Sequence, residues 1–138
     1  MKLFKLISIS MILISSFNQS FGQQVTERYV NILDHQKFLS YDETENNYYV
    51  RFELNNIYEN ESSKPIYVAV NELQNVISFS IKSKSFEKEN QRTCFLRIKP
   101  ENYAYTLYFV FKNMNVKYIF DGEKYIEIEK YFAENFKL

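Results

Sequence analysis

A chain of 138 residues with 17 basic and 17 acidic side chains carries no formal net charge, which excludes the basic footprint of a nucleic-acid-binding protein. Its single cysteine, Cys94, excludes an internal disulfide, so stability has to come from packing. With 13 Phe, 12 Tyr, no Trp and 2 Gly, the composition favours residues that suit a pleated, half-buried surface.

In chain order, the first element is an export signal. "MKLFKLISISMILISSFNQSFGQQ" places Lys2 and Lys5 ahead of an apolar run from Leu6 to Ile14, with small Ser20 and Gly22 where a signal peptidase reads. The pattern resembles signal peptides of Gram-negative envelope proteins. It predicts a signal peptide over residues 1–22, cleavage between Gly22 and Gln23, and a periplasmic or secreted product. The apolar run falls short of the about 20 residues a spanning helix needs, so no transmembrane segment is expected in the mature chain. That chain, residues 23–138, has 116 residues (138 − 22), a length for one domain. Without Lys2 and Lys5 it holds 15 basic and 17 acidic residues, a formal charge of −2.

"VTERYVNILDHQKFLS" reads as a strand over "RYVNIL", or as an amphipathic helix through Val25, Tyr29, Ile32, Leu33 and Leu39; the strand is expected. "YYVRFELN" alternates Tyr48, Val50, Phe52 and Leu54 with Tyr49, Arg51, Glu53 and Asn55, the period of a strand with one buried face. A polar connection ending at Pro65 precedes "PIYVAV", where Ile66, Val68 and Val70 repeat the alternation. "NVISFSIKS" puts Ile77, Phe79 and Ile81 on one face, and "TCFLRIKP" does the same with Cys94, Leu96 and Ile98. "YAYTLYFVFK" is apolar on both sides, as in a central strand. In "VKYIFDGEKYIEIE", Asp121-Gly122 between two strand-like runs predicts a hairpin with a type I′ turn. The tail is expected as strand to about Phe132, although Ile128, Phe132 and Phe136 also recur every four residues.

About seven strands at this spacing predict an all-β antiparallel sandwich; an α+β fold, with an N-terminal helix packed on an antiparallel sheet, is the alternative. The succession "VRFELNN", "SSKPIYVAV", "LRIKPENYAYTLYFVF" resembles exported immunoglobulin-like β-sandwich domains over residues 46–128. The resemblance implies that fold and no activity. The Cys…Trp…Cys signature of antibody-type domains is missing, since the chain has no Trp and one Cys.

Catalytic chemistry finds little to build on. A nucleophile needs an oriented base beside it, and the candidates are Cys94 and His35, with Asp34 or Asp42 as orienters. Cys94 alternates with Leu96 and Ile98, however, the pattern of a small buried hydrophobe. One His and one Cys do not make a zinc set, and "DETEN" (Asp42, Glu43, Glu45) lacks a calcium-loop pattern, so no metal and no cofactor are expected. Glu127 and Glu129 read as the solvent side of an edge strand, and Glu87 and Glu89 as loop charges, so neither pair forms the facing carboxylates of a glycosidase. With one glycine outside the predicted signal, no phosphate-binding loop can form. Asn60-Glu61-Ser62 matches an N-glycosylation pattern, which has meaning only in a eukaryotic secretory pathway.

The aromatic surplus is what remains. Tyr49, Tyr67, Tyr103 and Tyr108 are the expected binding surface, because a Tyr ring gives contact area with a polar tip for a protein or glycan partner. The expected function is therefore an exported, non-enzymatic binding or accessory module using a sheet face, a strand edge or the loops Asn56–Lys64 and Lys84–Arg92. An inhibitor or immunity-type protein, acting through an acidic patch such as Asp42 to Glu45, is the first alternative. A small hydrolase using Cys94 and His35 is the second.

Overall fold

A computed structural model describes residues 25–32, 35–58, 63–82 and 90–138. In chain order it has β1 (Arg28–Asn31), a single turn α1 (His35–Phe38), β2 (Leu39–Asp42), β3 (Asn47–Asn55), α2 (Lys64–Asn71), β4 (Val76–Ile81) and β5 (Gln91–Ile98). There follow α3 (Tyr103–Asn113), β6 (Val116–Phe120), β7 (Tyr125–Glu127) and α4 (Ile128–Phe136). The strands make one seven-stranded sheet in the order β4-β5-β3-β1-β6-β7, with β2 on β3. Every pairing is antiparallel except that of β1 with β6. β1 and β2 share one side of β3: β1 pairs Glu53–Asn55 and β2 pairs Asn47–Val50, with α1 looping out between them.

Alternation sets the core. Val50, Phe52 and Leu54 of β3 stand beside Leu96 and Cys94 of β5, and Val30 of β1 stands beside Leu54 and Ile119; all are buried. The helices close over this face alone. Phe111 of α3 meets Phe52 of the sheet, Phe38 of α1 and Phe132 of α4, while Tyr103 stacks on Tyr48 with ring centroids 4.1 Å apart. Each fully buried large side chain contributes about 1.5–3 kcal/mol, so this single layer interface carries the stability.

The described residues form one sheet with helices on one side and not the two facing sheets of the expected sandwich. The arrangement is compatible with the α+β alternative, except that its helical layer comes mainly from α2, α3 and α4, and the N-terminal segment adds only the single turn α1, whose Phe38 packs on Phe111. Two expected strands are helices, each for a physical reason. "PIYVAV" buries Ile66 and Val70, four apart, and leaves Val68 exposed, which a strand would have buried with them. Pro65 belongs to the first helical turn, where its missing N–H has no partner to lose. In "YAYTLYFVF" the buried set is Thr106, Leu107, Val110 and Phe111, a helical stripe whose other side is the exposed Tyr105 and Phe109. The tail is strand only to Glu127, and α4 then buries Ile128, Tyr131 and Phe132. Glu127 and Glu129 therefore do not share a strand face. The N-terminal stretch is the expected strand over Arg28–Asn31.

The hairpin of β6 and β7 lies where "DG" places it, but its turn is not type I′, which needs positive φ at both central residues. Only Gly122 has it, at 99°. Asp121 instead accepts the backbone N–H groups of Glu123 and Lys124 on Oδ1, both at 2.9 Å. Elsewhere asparagine does glycine's work: Asn46, Asn56, Asn75, Asn102 and Asn115 all take positive φ, which Asn tolerates better than most residues. Asn71 has a further task. Its side chain accepts from the Phe79 N–H at 3.1 Å and donates to the Phe79 carbonyl at 3.3 Å, closing the free side of edge strand β4 at that residue.

The predicted signal peptide, Asp34, Glu87, Glu89, Asn60-Glu61-Ser62, residues 59–62 of the loop Asn56–Lys64 and residues 84–89 of the loop Lys84–Arg92 lie outside the described residues.

Candidate functional site

The face of the sheet away from the helices is where residues with chemistry collect. It is built by the residues that alternate with the core: Tyr49, Arg51 and Glu53 of β3 register with Arg97, Phe95 and Thr93 of β5. Among the described residues no helix packs against it, since the buried side chains of α2, α3 and α4 join the core on the opposite face. On the β3–β5 half, Tyr49 and Phe95 stack with centroids 6.2 Å apart. The Arg97 guanidinium lies 5.7 Å from the Tyr49 ring centre, and Arg51 lies 5.8 Å and Lys82 5.1 Å from that of Phe95. Cations over ring faces at such distances are held by the ring quadrupole. The neighbouring carboxylate, Glu53, accepts the Thr93 hydroxyl on both oxygens, at 3.1 and 2.9 Å.

A second aromatic group lies on the β1–β6–β7 half. Tyr125 packs 5.0 Å from Tyr29 and 4.8 Å from Phe120, with Tyr118 at 6.3 Å. Burial, then a hydrogen bond and charge interaction with Tyr125, push the Tyr29 phenol up to about 12. The two halves differ in kind: one offers rings topped by cations, the other a cluster of rings with phenolic hydroxyls.

The four tyrosines expected as a surface are not brought together. Tyr49 is on the open face. Tyr67 is exposed on α2, on the other side of the molecule. Tyr103 and Tyr108 lie on α3, where Tyr103 is half-buried between Tyr48 and Phe136, and Tyr108 packs on Phe132 beneath the Lys112 ammonium. Sequence reading did not count Arg51, Phe95, Arg97 or Lys82 among the surface candidates. Alternation alone put Arg51 and Tyr49 on the outer face; the register that sets Phe95 and Arg97 beside them is not written in either strand.

Cys94 is fully buried between Phe52 of β3 and Ile81 of β4, and desolvation, with a smaller contribution from the Glu53 charge, pushes its thiol far up from the ordinary range. His35 sits on α1, and its side chain lies outside the described residues. The acidic turn after β2 is ordered by Asp42, whose Oδ1 accepts from the N–H groups of Thr44 at 3.0 Å and Glu45 at 3.2 Å. Among the described residues no cluster of three His, Cys, Asp or Glu side chains could hold a metal, and no helix is long and apolar enough to cross a membrane.

Comparison of the chain with protein-family models, with curated proteins and with solved structures finds no significant match. The functional reading therefore rests on the residues just described.

Proposed function

We propose that this protein is an exported, non-enzymatic binding module that meets an acidic partner protein across its open sheet face. One observation carries the reading: the row Arg97, Tyr49, Phe95 and Arg51 on the neighbouring strands β3 and β5, joined by Lys82 just past the end of β4, with no described element over it. Aromatic rings and arginine are the side chains that dominate binding energy at protein interfaces. Around Tyr49 and Phe95 three cations stand near the carboxylate of Glu53, itself occupied by Thr93, and this local excess favours a partner surface that brings Asp or Glu to those rings. Two other modes in the sequence reading have less support. The Asn71 amide already occupies the β4 edge at Phe79, which opposes strand addition there. The buried, neutral thiol of Cys94 opposes a hydrolase built on Cys94 and His35.

The test is capture from envelope and medium extracts with the immobilised protein, run in parallel with Phe95→Asp and Tyr49→Ala. A stoichiometric partner held by the parent and lost from both variants is the expected result. A partner retained equally by both variants removes the open face from the reading. The inhibitor or immunity-type alternative draws on a different observation, the turn that Asp42 holds with its three exposed or half-exposed carboxylates Asp42, Glu43 and Glu45. It predicts that the captured partner is an enzyme silenced by the parent, with silencing lost on Glu43→Lys.

A further inference from the structure

The helical side of the molecule carries a second site, independent of the open sheet face. A groove of about 400 Å³ runs between the turn joining α2 to β4 and the outer side of α3. Its volume lies within the about 300–1,000 Å³ typical of small-molecule sites. Tyr105 and Phe109, one helical turn apart on α3, line it and are each 52% exposed. In a helix that buries Leu107, Val110 and Phe111, two large rings left half in water contribute nothing further to the core. Gln74 and Asn75 line the groove from the facing turn, and Asn102, the N-cap of α3, lines it beside Tyr105.

The backbone holds two of these three residues in place. Asn75 and Asn102 hold positive φ, at 69° and 52°, and their main-chain carbonyls are engaged: Asn75 accepts from the Lys99 N–H at 2.9 Å, and Asn102 from the Thr106 N–H at 3.0 Å. Tight turns thus fix both residues while their side-chain amides stay available as donors and acceptors. Among the described residues no charged side chain lines the groove, although a quarter of the chain is charged.

From this lining we infer that the groove binds a neutral saccharide. Sugar rings present one weakly polar C–H face, which suits Tyr105 and Phe109, and a rim of hydroxyls that give and take hydrogen bonds, which suits three carboxamides. An apolar helix or a second copy of this chain would fit worse, because it would desolvate the three amides without replacing their hydrogen bonds. An anionic ligand finds no cation in the lining to pair with.

The experiment is a backbone-amide NMR titration of the full chain with neutral hexasaccharides of glucose, N-acetylglucosamine and mannose, with oligogalacturonate as the charged control. At least one neutral hexasaccharide is expected to give saturable shifts centred on residues 73–75 and 102–109. Tyr105→Ala and Phe109→Ala are expected to weaken that binding at least tenfold, as is Asn102→Gly, which keeps the left-handed backbone and removes only the amide. Tyr49→Ala, on the opposite face, is expected to leave it unchanged. No saturable shift with any neutral hexasaccharide overturns the inference. So does a preference for oligogalacturonate, or movement of the same residues on dilution of the protein alone, the sign of self-association. Failure here leaves the open-face reading untouched, since the capture experiment probes other residues.

Discussion

The two faces of this sheet are made by the same strands and differ in one thing, what lies over them. On the covered face Val30, Val50, Leu54 and Leu96 are aliphatic and fully buried, and Phe52 is nearly so. On the open face the alternating positions hold Tyr29, Tyr49, Phe95, Tyr118, Phe120 and Tyr125 among Arg51, Glu53 and Arg97. The difference teaches how a two-layer protein assigns its residues. Aliphatic side chains need a second layer to leave water, whereas rings topped by cations or carrying hydroxyls are stable at a half-wet surface. Such a face does little for folding.

The sharpest way to break the comparison is to remove the keystone of the covered face. Phe111 is fully buried and touches rings from α1, β3 and α4. Phe111→Ala is expected to cost about 3–5 kcal/mol, measured by urea unfolding. The next variant acts where the two faces meet, at the β4 edge. "VISFSI" carries no charge, and Asn71 guards it with two hydrogen bonds to Phe79. Asn71→Ala should cost about 1–3 kcal/mol through the lost pair. It should also make the protein associate with concentration, since an uncharged, unpaired edge recruits strands. Sedimentation equilibrium separates the two effects. A variant that is destabilised but stays monomeric would show that the edge needs no guard.

How far the sequence foretold this division follows from the ambiguity of its patterns. The inward set of β3 and the buried set of β5 were legible because strict alternation over eight residues has no helical reading. "PIYVAV" was not, because positions four apart are inward in both a strand and a helix; Val68 alone tells them apart, and its exposure is a tertiary fact. "YAYTLYFVF" is apolar at nearly every position, so no period could be read from it. The five left-handed asparagines carry no pattern in the sequence, and only the backbone shows them to be turns in a chain short of glycine. Of the candidate site, Tyr49 was legible; its neighbours Phe95 and Arg97 depend on the β3–β5 register, a long-range pairing that no local pattern encodes.

The smallest expected effect compares one tyrosine from each side. Tyr131 of α4, on the covered side, and Tyr29 of the open face both have phenols pushed up to about 12. Their causes differ: for Tyr131 it is burial, whereas for Tyr29 burial is joined by Tyr125. Each raised value means that the folded protein keeps a proton the unfolded chain has begun to release. Stability from both is therefore complete below about pH 10, the ordinary tyrosine range, and is lost as pH rises from there toward about 12. Tyr125→Phe separates the causes. It removes the hydroxyl that raises Tyr29 and leaves the ring that shields it, so the Tyr29 value should fall while staying above its ordinary level. Tyr131 should not move. An alkaline titration followed by ring-proton NMR reads both residues in one sample. If Tyr29 and Tyr131 shift together, the aromatic group on the open face is coupled to the core, and the two faces are not the independent surfaces described above. If Tyr29 alone shifts, the aromatic group on the open face titrates independently of the core beneath the helices, and the two faces are electrostatically separate.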